Sequence, residues 1–232
     1  MKIKCVLFGI DDVLYDASLQ MSTARLNAIK AMTEAGLPTD VETAYRVLQT
    51  IVKEQGSYFN KHFDKLLEQL GLKWNPRVIA AGVVAYRETS LAYLKPYPDT
   101  FPTLLKLREV GYKIGIVSEG RAVKQWQKLI QLGIQHLLDC VLTSEEMGTQ
   151  IMKPELFKSV LKALRVRPEQ TIFVGNKLET EILCANKAKV ISVRIRKGEN
   201  KTRESESPET TPKYEINKLS EIFKVIEKVE KP

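Results

Sequence analysis

Apolar residues run without a break from Cys5 to Ile10 and stop at Asp11-Asp12, one strand's length closed by two carboxylates. From residue 17 to residue 95 the pattern changes to helical spacing, with Leu26, Ile29 and Met32, then Tyr45, Leu48 and Ile51, each set on one face. Breaks fall at Gly36-Leu37-Pro38, around Gln55-Gly56-Ser57, and from Gly71 to Pro76, which predicts about four consecutive helices. After Tyr97-Pro98 short β-rich runs alternate with helical stretches. The runs are Lys113 to Ser118, Leu138 to Thr143, Thr171 to Gly175 and Val190 to Ile195; the helices lie near 100–110, 122–133, 155–165 and 178–188, with a last one reaching Val229. Such alternation predicts an α/β fold, a parallel sheet covered by helices on both faces. The expected organisation is a core of residues 1–16 and 96–232, with residues 17–95 inserted as a helical domain.

Composition leaves this picture standing. With 232 residues, 44% of them hydrophobic and 28% charged, the chain is long enough to bury a substantial core. Cys5, Cys140 and Cys184 are odd in number, widely spaced and set among apolar residues, which predicts buried thiols in a reducing cytoplasm. The apolar run at the N-terminus is too short for a signal peptide or a membrane span. His62 and His136 stand far apart without ligand neighbours and read as structural. Aromatic residues gather in the insert, where Tyr45, Tyr58, Phe59, Phe63, Tyr86 and Tyr93 are expected to pack helix against helix.

The net charge of +8 is concentrated in part in Lys187, Lys189, Arg194, Arg196, Lys197, Lys201 and Arg203. A basic strand end and loop of this kind suits an anionic ligand, with nucleic acid the less favoured partner. The polar stretch from Glu204 to Pro212 is expected to be mobile and to screen part of that charge.

Candidate chemistry starts at the acids behind the first strand, because ligands of open α/β sheets bind outside the strand carboxyl ends. Side chains alternate along a strand, so residue 9 and Asp11 are expected to project the same way. The segment Phe8-Gly9-Ile10-Asp11-Asp12-Val13-Leu14 resembles the DxDx(T/V)L motif of haloacid dehalogenase-like phosphohydrolases. In that family the first Asp attacks phosphorus and the second is general acid and base. The resemblance puts Asp11 in the second role and leaves Gly9 at the nucleophile position, vacant. It also implies a Rossmann-like three-layer core, with residues 17–95 as an all-helical C1 cap that closes over the site and selects substrate.

The other motifs follow in order. Val117-Ser118-Glu119-Gly120 resembles the second motif, so Ser118, Glu119 and Gly120 are the phosphate-binding residues the resemblance implies. The third motif's lysine position falls on Ile151, and Lys153, two residues later, is the candidate to reach catalytic groups and phosphate. In Gly175-Asn176-Lys177-Leu178-Glu179-Thr180-Glu181, which resembles GDxxxxD, Asn176 and Glu181 replace the two acids. With Asp11 they would make a weakened magnesium site, the ion being weakly bound or absent.

The resemblance spans essentially the whole chain and extends to capped archaeal phosphatases of small phosphorylated metabolites, with a more distant likeness to N-acylneuraminate 9-phosphatase. Gly9 leads to the expectation of a phosphatase homologue that has lost aspartyl-phosphate catalysis and binds a phosphorylated ligand or a macromolecular partner. The alternative is an active magnesium-dependent phosphatase of small phosphorylated metabolites such as glyceraldehyde 3-phosphate. A homodimer is compatible with either.

Overall fold

The computed structural model describes residues 2–56 and 59–231. Ser57, within an expected break, and Tyr58, among the insert's aromatics, lie outside them. The chain forms two compact units, one holding the chain up to Ser18 and from Leu94 onward, the other Leu19–Tyr93.

The first unit is built on a sheet whose described strands are β1 (Cys5–Phe8), β2 (Lys113–Ser118), β3 (Cys140–Thr143), β4 (Thr171–Gly175), β5 (Ile191–Ile195) and β6 (Tyr214–Ile216). They lie in the order β3-β2-β1-β4-β5-β6, and every pairing is parallel. Every residue of β1 is buried, as its unbroken apolar run requires of a central strand covered on both faces. Val6 and Phe8 each contribute on the order of 1.5 to 3 kcal/mol through that burial. Consecutive strands run β1, β2, β3 to one side and β4, β5, β6 to the other. The chain therefore reverses direction across the sheet between β1 and β4, which opens a crevice at their carboxyl ends.

Helices α5 (Thr100–Val110), α6 (Ala122–Gln131), α7 (Pro154–Leu164), α8 (Leu183–Lys187) and α9 (Ile222–Glu230) cover this sheet. Pro154 opens α7 at a position where its missing N–H costs nothing. Leu156, Phe157 and Val160 of α7 pack with Cys5, Leu7 and Phe173, and the Phe157 and Phe173 rings meet edge to face at 4.8 Å.

Leu19–Tyr93 is helical, made by α1 (Ala17–Glu34), α2 (Val41–Gln55), α3 (His62–Gln69) and α4 (Pro76–Tyr93). Asp40 caps α2 by accepting from the Thr43 N–H at 2.8 Å, and Gly56 ends it at φ 76°. Ile29, Met32, Leu48, Ile51 and Leu66 form its core. A Cβ on Gly82 of α4 would stand 2.7 Å from Met32, so glycine sets how closely these helices approach.

Three sequence expectations change. The sheet gains β6, which the apolar pattern does not announce because it is only three residues long. The stretch from Glu204 to Pro212 is not a loose tail but a turn laced by the hydroxyls of Ser205, Ser207, Thr210 and Thr211, and Asn186 donates to the Glu209 and Thr211 carbonyls. The helix expected over 178–188 begins as a π turn, Leu178–Ile182, because the N–H groups of Glu181 and Ile182 both donate to the Lys177 carbonyl.

Candidate functional site

β1 ends at Phe8, and the Gly9 N–H donates across to the Val174 carbonyl of β4 at 2.9 Å. The two strand ends thus stay joined where the crevice opens. Beyond Gly9 the chain turns, with Asp12 at φ 57° and its carboxylate accepting from the Ser18 N–H and hydroxyl at 2.8 and 2.6 Å. Asp11 and Asp12 therefore part company. Asp12 anchors a turn, and Asp11 takes the 2.8 Å hydrogen bond of the Tyr15 hydroxyl and an ion pair from Lys128 on α6.

That ion pair sets the charge of Asp11. Burial resists ionisation, but the Lys128 ammonium, its hydrogen bond, the Tyr15 hydroxyl and the charge of Lys177 outweigh it and hold the carboxyl below its ordinary value. Asp11 is an anion at neutral pH.

Glu181 is set by the π turn over the ends of both central strands. Its Oε2 accepts the N–H groups of Asn176 and Lys177 at 2.7 and 3.0 Å, and its Oε1 lies 2.8 Å from the point where a Cβ on Gly9 would sit. A Cβ on Gly175 would likewise stand 3.0 Å from Oε2. Gly9, directly after β1, and Gly175, the last residue of β4, stand at the places where this carboxylate rests. Burial pushes the Glu181 carboxyl up, against the opposing effects of Lys177 and the two N–H groups, with the Asp11 charge adding to the rise.

Asn176 faces the other way. Its amide donates to the carbonyls of Ile195 and Lys197 at 3.3 and 2.7 Å, and its oxygen accepts from Asn200 at 2.9 Å. This side chain ties β4 to the segment after β5 and does not offer itself to a metal. With Glu181 Oε2 on two N–H groups and Asp11 on Lys128, the expected ligand trio is not assembled. Among the described residues no group of three or more His, Cys, Asp or Glu side chains could hold a metal ion.

The residues expected to cradle phosphate lie at the end of β2 and in the loop beyond it. Ser118 ends β2, buried, and its hydroxyl makes a long 3.4 Å contact with the Glu119 carbonyl. The Gly120 N–H is taken by the Ser144 hydroxyl at 2.8 Å, and the Glu119 carboxylate accepts from the Met152 N–H at 3.2 Å. These two residues stitch neighbouring loops together. Lys153 precedes α7 and lines a surface depression with Met147, Gly148, Thr149 and Glu155. The cations whose charge bears on the strand-end carboxylates are Lys128 and Lys177. Sequence reasoning missed both. Lys177 stood inside the motif that was read, next to Asn176, whereas Lys128 sits on a helix with no motif around it.

Elsewhere the expected basic surface is largely internal pairing. Arg194, 1% exposed, meets Glu215 at 3.1 Å and the Asn200 carbonyl at 2.7 Å; Arg196 bridges Glu204 and Glu215; Arg203 pairs with Glu179 and Lys187 with Glu209. His62 bonds the Gly56 carbonyl and meets the Phe59 ring edge to face, and His136 bonds Gln135. The three cysteines are free thiols, and burial pushes Cys5 up to about 12 and Cys184 up to about 11. No helix of the described residues is long and apolar enough to cross a membrane.

Comparison with known proteins adds an independent line. Residues 6–195 match the haloacid dehalogenase-like hydrolase family. The chain is 47% identical over 231 residues, 99% of each sequence, to a protein of Methanopyrus kandleri named glyceraldehyde 3-phosphate phosphatase. A protein of the same name from Methanocaldococcus jannaschii is 39% identical over 229 residues, again 99% of each. Among solved structures, a hydrolase of this kind from Bacillus subtilis, bound to magnesium, shares the fold at TM-score 0.70 and 20% identity, over 97% of this chain and 99% of that one. These full-length relatives, named for an enzymatic activity, overturn the expectation of a catalytically inactive binding protein drawn from Gly9.

Proposed function

We propose that this chain, which belongs to the haloacid dehalogenase-like hydrolase family, is a phosphatase of a small phosphorylated metabolite, with glyceraldehyde 3-phosphate the first substrate to test. The observation that carries this reading is 47% identity along the whole length of a relative named for that reaction.

The strand-end residues support it chemically. Phosphoryl transfer needs fixed positive charge around the phosphoryl oxygens and groups that move protons to and from the ester oxygen and water. In this reading Lys177 and Lys128 supply the charge, the Ser118 hydroxyl donates to a phosphoryl oxygen, and Asp11, held as an anion, accepts the proton of water. Free thiols throughout suit a cytoplasmic enzyme.

Hydrolases of this family generally use Mg2+, and a hard divalent ion needs several oxygen ligands that are not otherwise engaged. The donors present do not fit it. The Asn176 amide is spent on Ile195, Lys197 and Asn200, and the Asp11 carboxylate is already taken by the Lys128 ammonium and the Tyr15 hydroxyl. Lysines take over the charge-neutralising part of the task.

The reading is tested by measuring orthophosphate released from glyceraldehyde 3-phosphate, glycerol 3-phosphate, phosphoserine and p-nitrophenyl phosphate, with added magnesium and with chelator. Release from glyceraldehyde 3-phosphate ahead of the others is expected. Silence on every ester in both conditions would falsify it.

A further inference from the structure

We infer that Glu181 is the phosphoryl-accepting nucleophile, its carboxylate delivered from the π turn behind β4 into the space that Gly9 leaves at the end of β1. The inference rests on the phosphatase reading above and gives that reading its missing reactive atom.

Three observations carry it. First, the empty volume beside Gly9 is not empty: Glu181 Oε1 stands 2.8 Å from the ideal Cβ position and Cδ 3.4 Å from it. A carboxylate therefore occupies the mouth of β1 although none is encoded there. Second, the carboxylate is oriented. Oε2 is pinned by the N–H groups of Asn176 and Lys177, which leaves Oε1 directed toward the strand end, as attack by one chosen oxygen requires. Third, the path is built for this side chain. The π turn places Glu181 over the sheet, and Gly175 as well as Gly9 lacks the Cβ that would crowd it. Asp11 and its Lys128 partner complete the groups at the same strand end.

The chemistry balances in two steps. Oε1 donates an electron pair to phosphorus as the P–O bond to the alcohol breaks, and the departing alkoxide takes a proton from the Lys128 ammonium. Water then attacks the phosphorus of the glutamyl phosphate, its proton passing to Asp11 and back to Lys128, and the P–Oε1 bond breaks to restore the carboxylate and release orthophosphate. One water is consumed and one alcohol formed per cycle.

The test is chemical trapping. The full-length protein is mixed with glyceraldehyde 3-phosphate or p-nitrophenyl phosphate and quenched with hydroxylamine, which converts an acyl phosphate to a hydroxamate, and the modified peptide is mapped by mass spectrometry. Modification at Glu181 is expected in the native protein. Glu181→Gln, which keeps the acceptor for both N–H groups, is expected to fold, to lose the mark and to lose at least about a thousandfold in turnover. Gly9→Asp combined with Glu181→Ala, which moves the carboxylate to β1, is expected to regain turnover and carry the mark at position 9. Turnover with the hydroxamate elsewhere, or turnover in Glu181→Gln within about threefold of native, overturns the inference and leaves the phosphatase reading intact. No phosphate release from any ester overturns both.

Discussion

Lys128 Nζ lies 2.6 Å from one carboxylate oxygen of Asp11 and 2.9 Å from the other, joining two residues 117 positions apart in the chain. One ammonium is shared between both oxygens of the strand-end acid, and Tyr15 holds the same carboxylate from a second side. Removing the cation while keeping the aliphatic stem tests what it does. Lys128→Met is expected to raise the Asp11 pKa toward or beyond its ordinary value, because burial then acts with only Lys177 and Tyr15 to oppose it. The acidic limb of a plot of kcat/KM against pH moves to higher pH, and the rate falls by about a hundredfold or more at neutrality. An unchanged profile would detach Lys128 from the chemistry.

Gly9 and Glu181 should be energetically coupled. A Cβ at position 9 meets Oε1 of a buried carboxylate whose other oxygen, Oε2, is held by two N–H groups, so the neighbour cannot swing aside freely. Gly9→Ala is expected to cost about 1 to 3 kcal/mol in denaturant unfolding. In a cycle with Glu181→Ala most of that cost should disappear, leaving an interaction energy of about 1 kcal/mol or more. Strict additivity would show that the two side-chain positions do not meet.

Restoring an acid at position 176 is expected to harm the protein. Asn176→Asp exchanges an amide that donates to two carbonyls for an oxygen that faces them, and leaves the Ile195 and Lys197 carbonyls without that donor. A loss of about 1 to 3 kcal/mol follows, seen as a lower melting temperature, whether or not magnesium is present. Stabilisation by magnesium in that variant alone would show that the segment after β5 can release the side chain.

The pH dependence of stability carries the sign of the Glu181 shift. Its folded pKa is raised, so the folded state holds this proton more tightly than the unfolded chain does. This contribution is full below the ordinary glutamate value of about 4.3 and is lost as pH rises through the elevated folded value. Glu181→Gln removes that slope. Its unfolding free energy should gain on the native protein as pH rises from about 4.3 toward neutrality; parallel curves would contradict the raised value.

Much of the architecture was legible because it depends on periodicity. The buried run of β1, the strands Lys113–Ser118 and Thr171–Gly175, and the helical spacing of Ile29, Met32, Leu48 and Ile51 are each local patterns with one physical reading. β6 was not legible, because three residues carry too little alternation and their pairing with β5 is a tertiary fact. The site was legible by residue type and not by direction. Asn176 and Glu181 stand in one short segment, yet the π turn sends the glutamate toward β1 while the asparagine goes to the loop after β5. Lys153 drew attention by its place in a motif, whereas Lys128 reaches Asp11 only once α6 is folded onto the sheet. The error about activity had the same origin. Gly9 was read along the chain alone, where the Glu181 carboxylate that lies beside it in space does not show.

The fit of Glu181 between Gly9 and Gly175 also limits the routes by which this chain can change. An aspartate appearing at position 9 would collide with a carboxylate already seated there, and shortening residue 181 first would leave the space beside Gly9 unfilled. Each single step is worse than either end point. The two positions therefore form a lock that opens only when both change together, or when a loosening of the π turn comes first. Sterics alone then resist a change at either position made by itself.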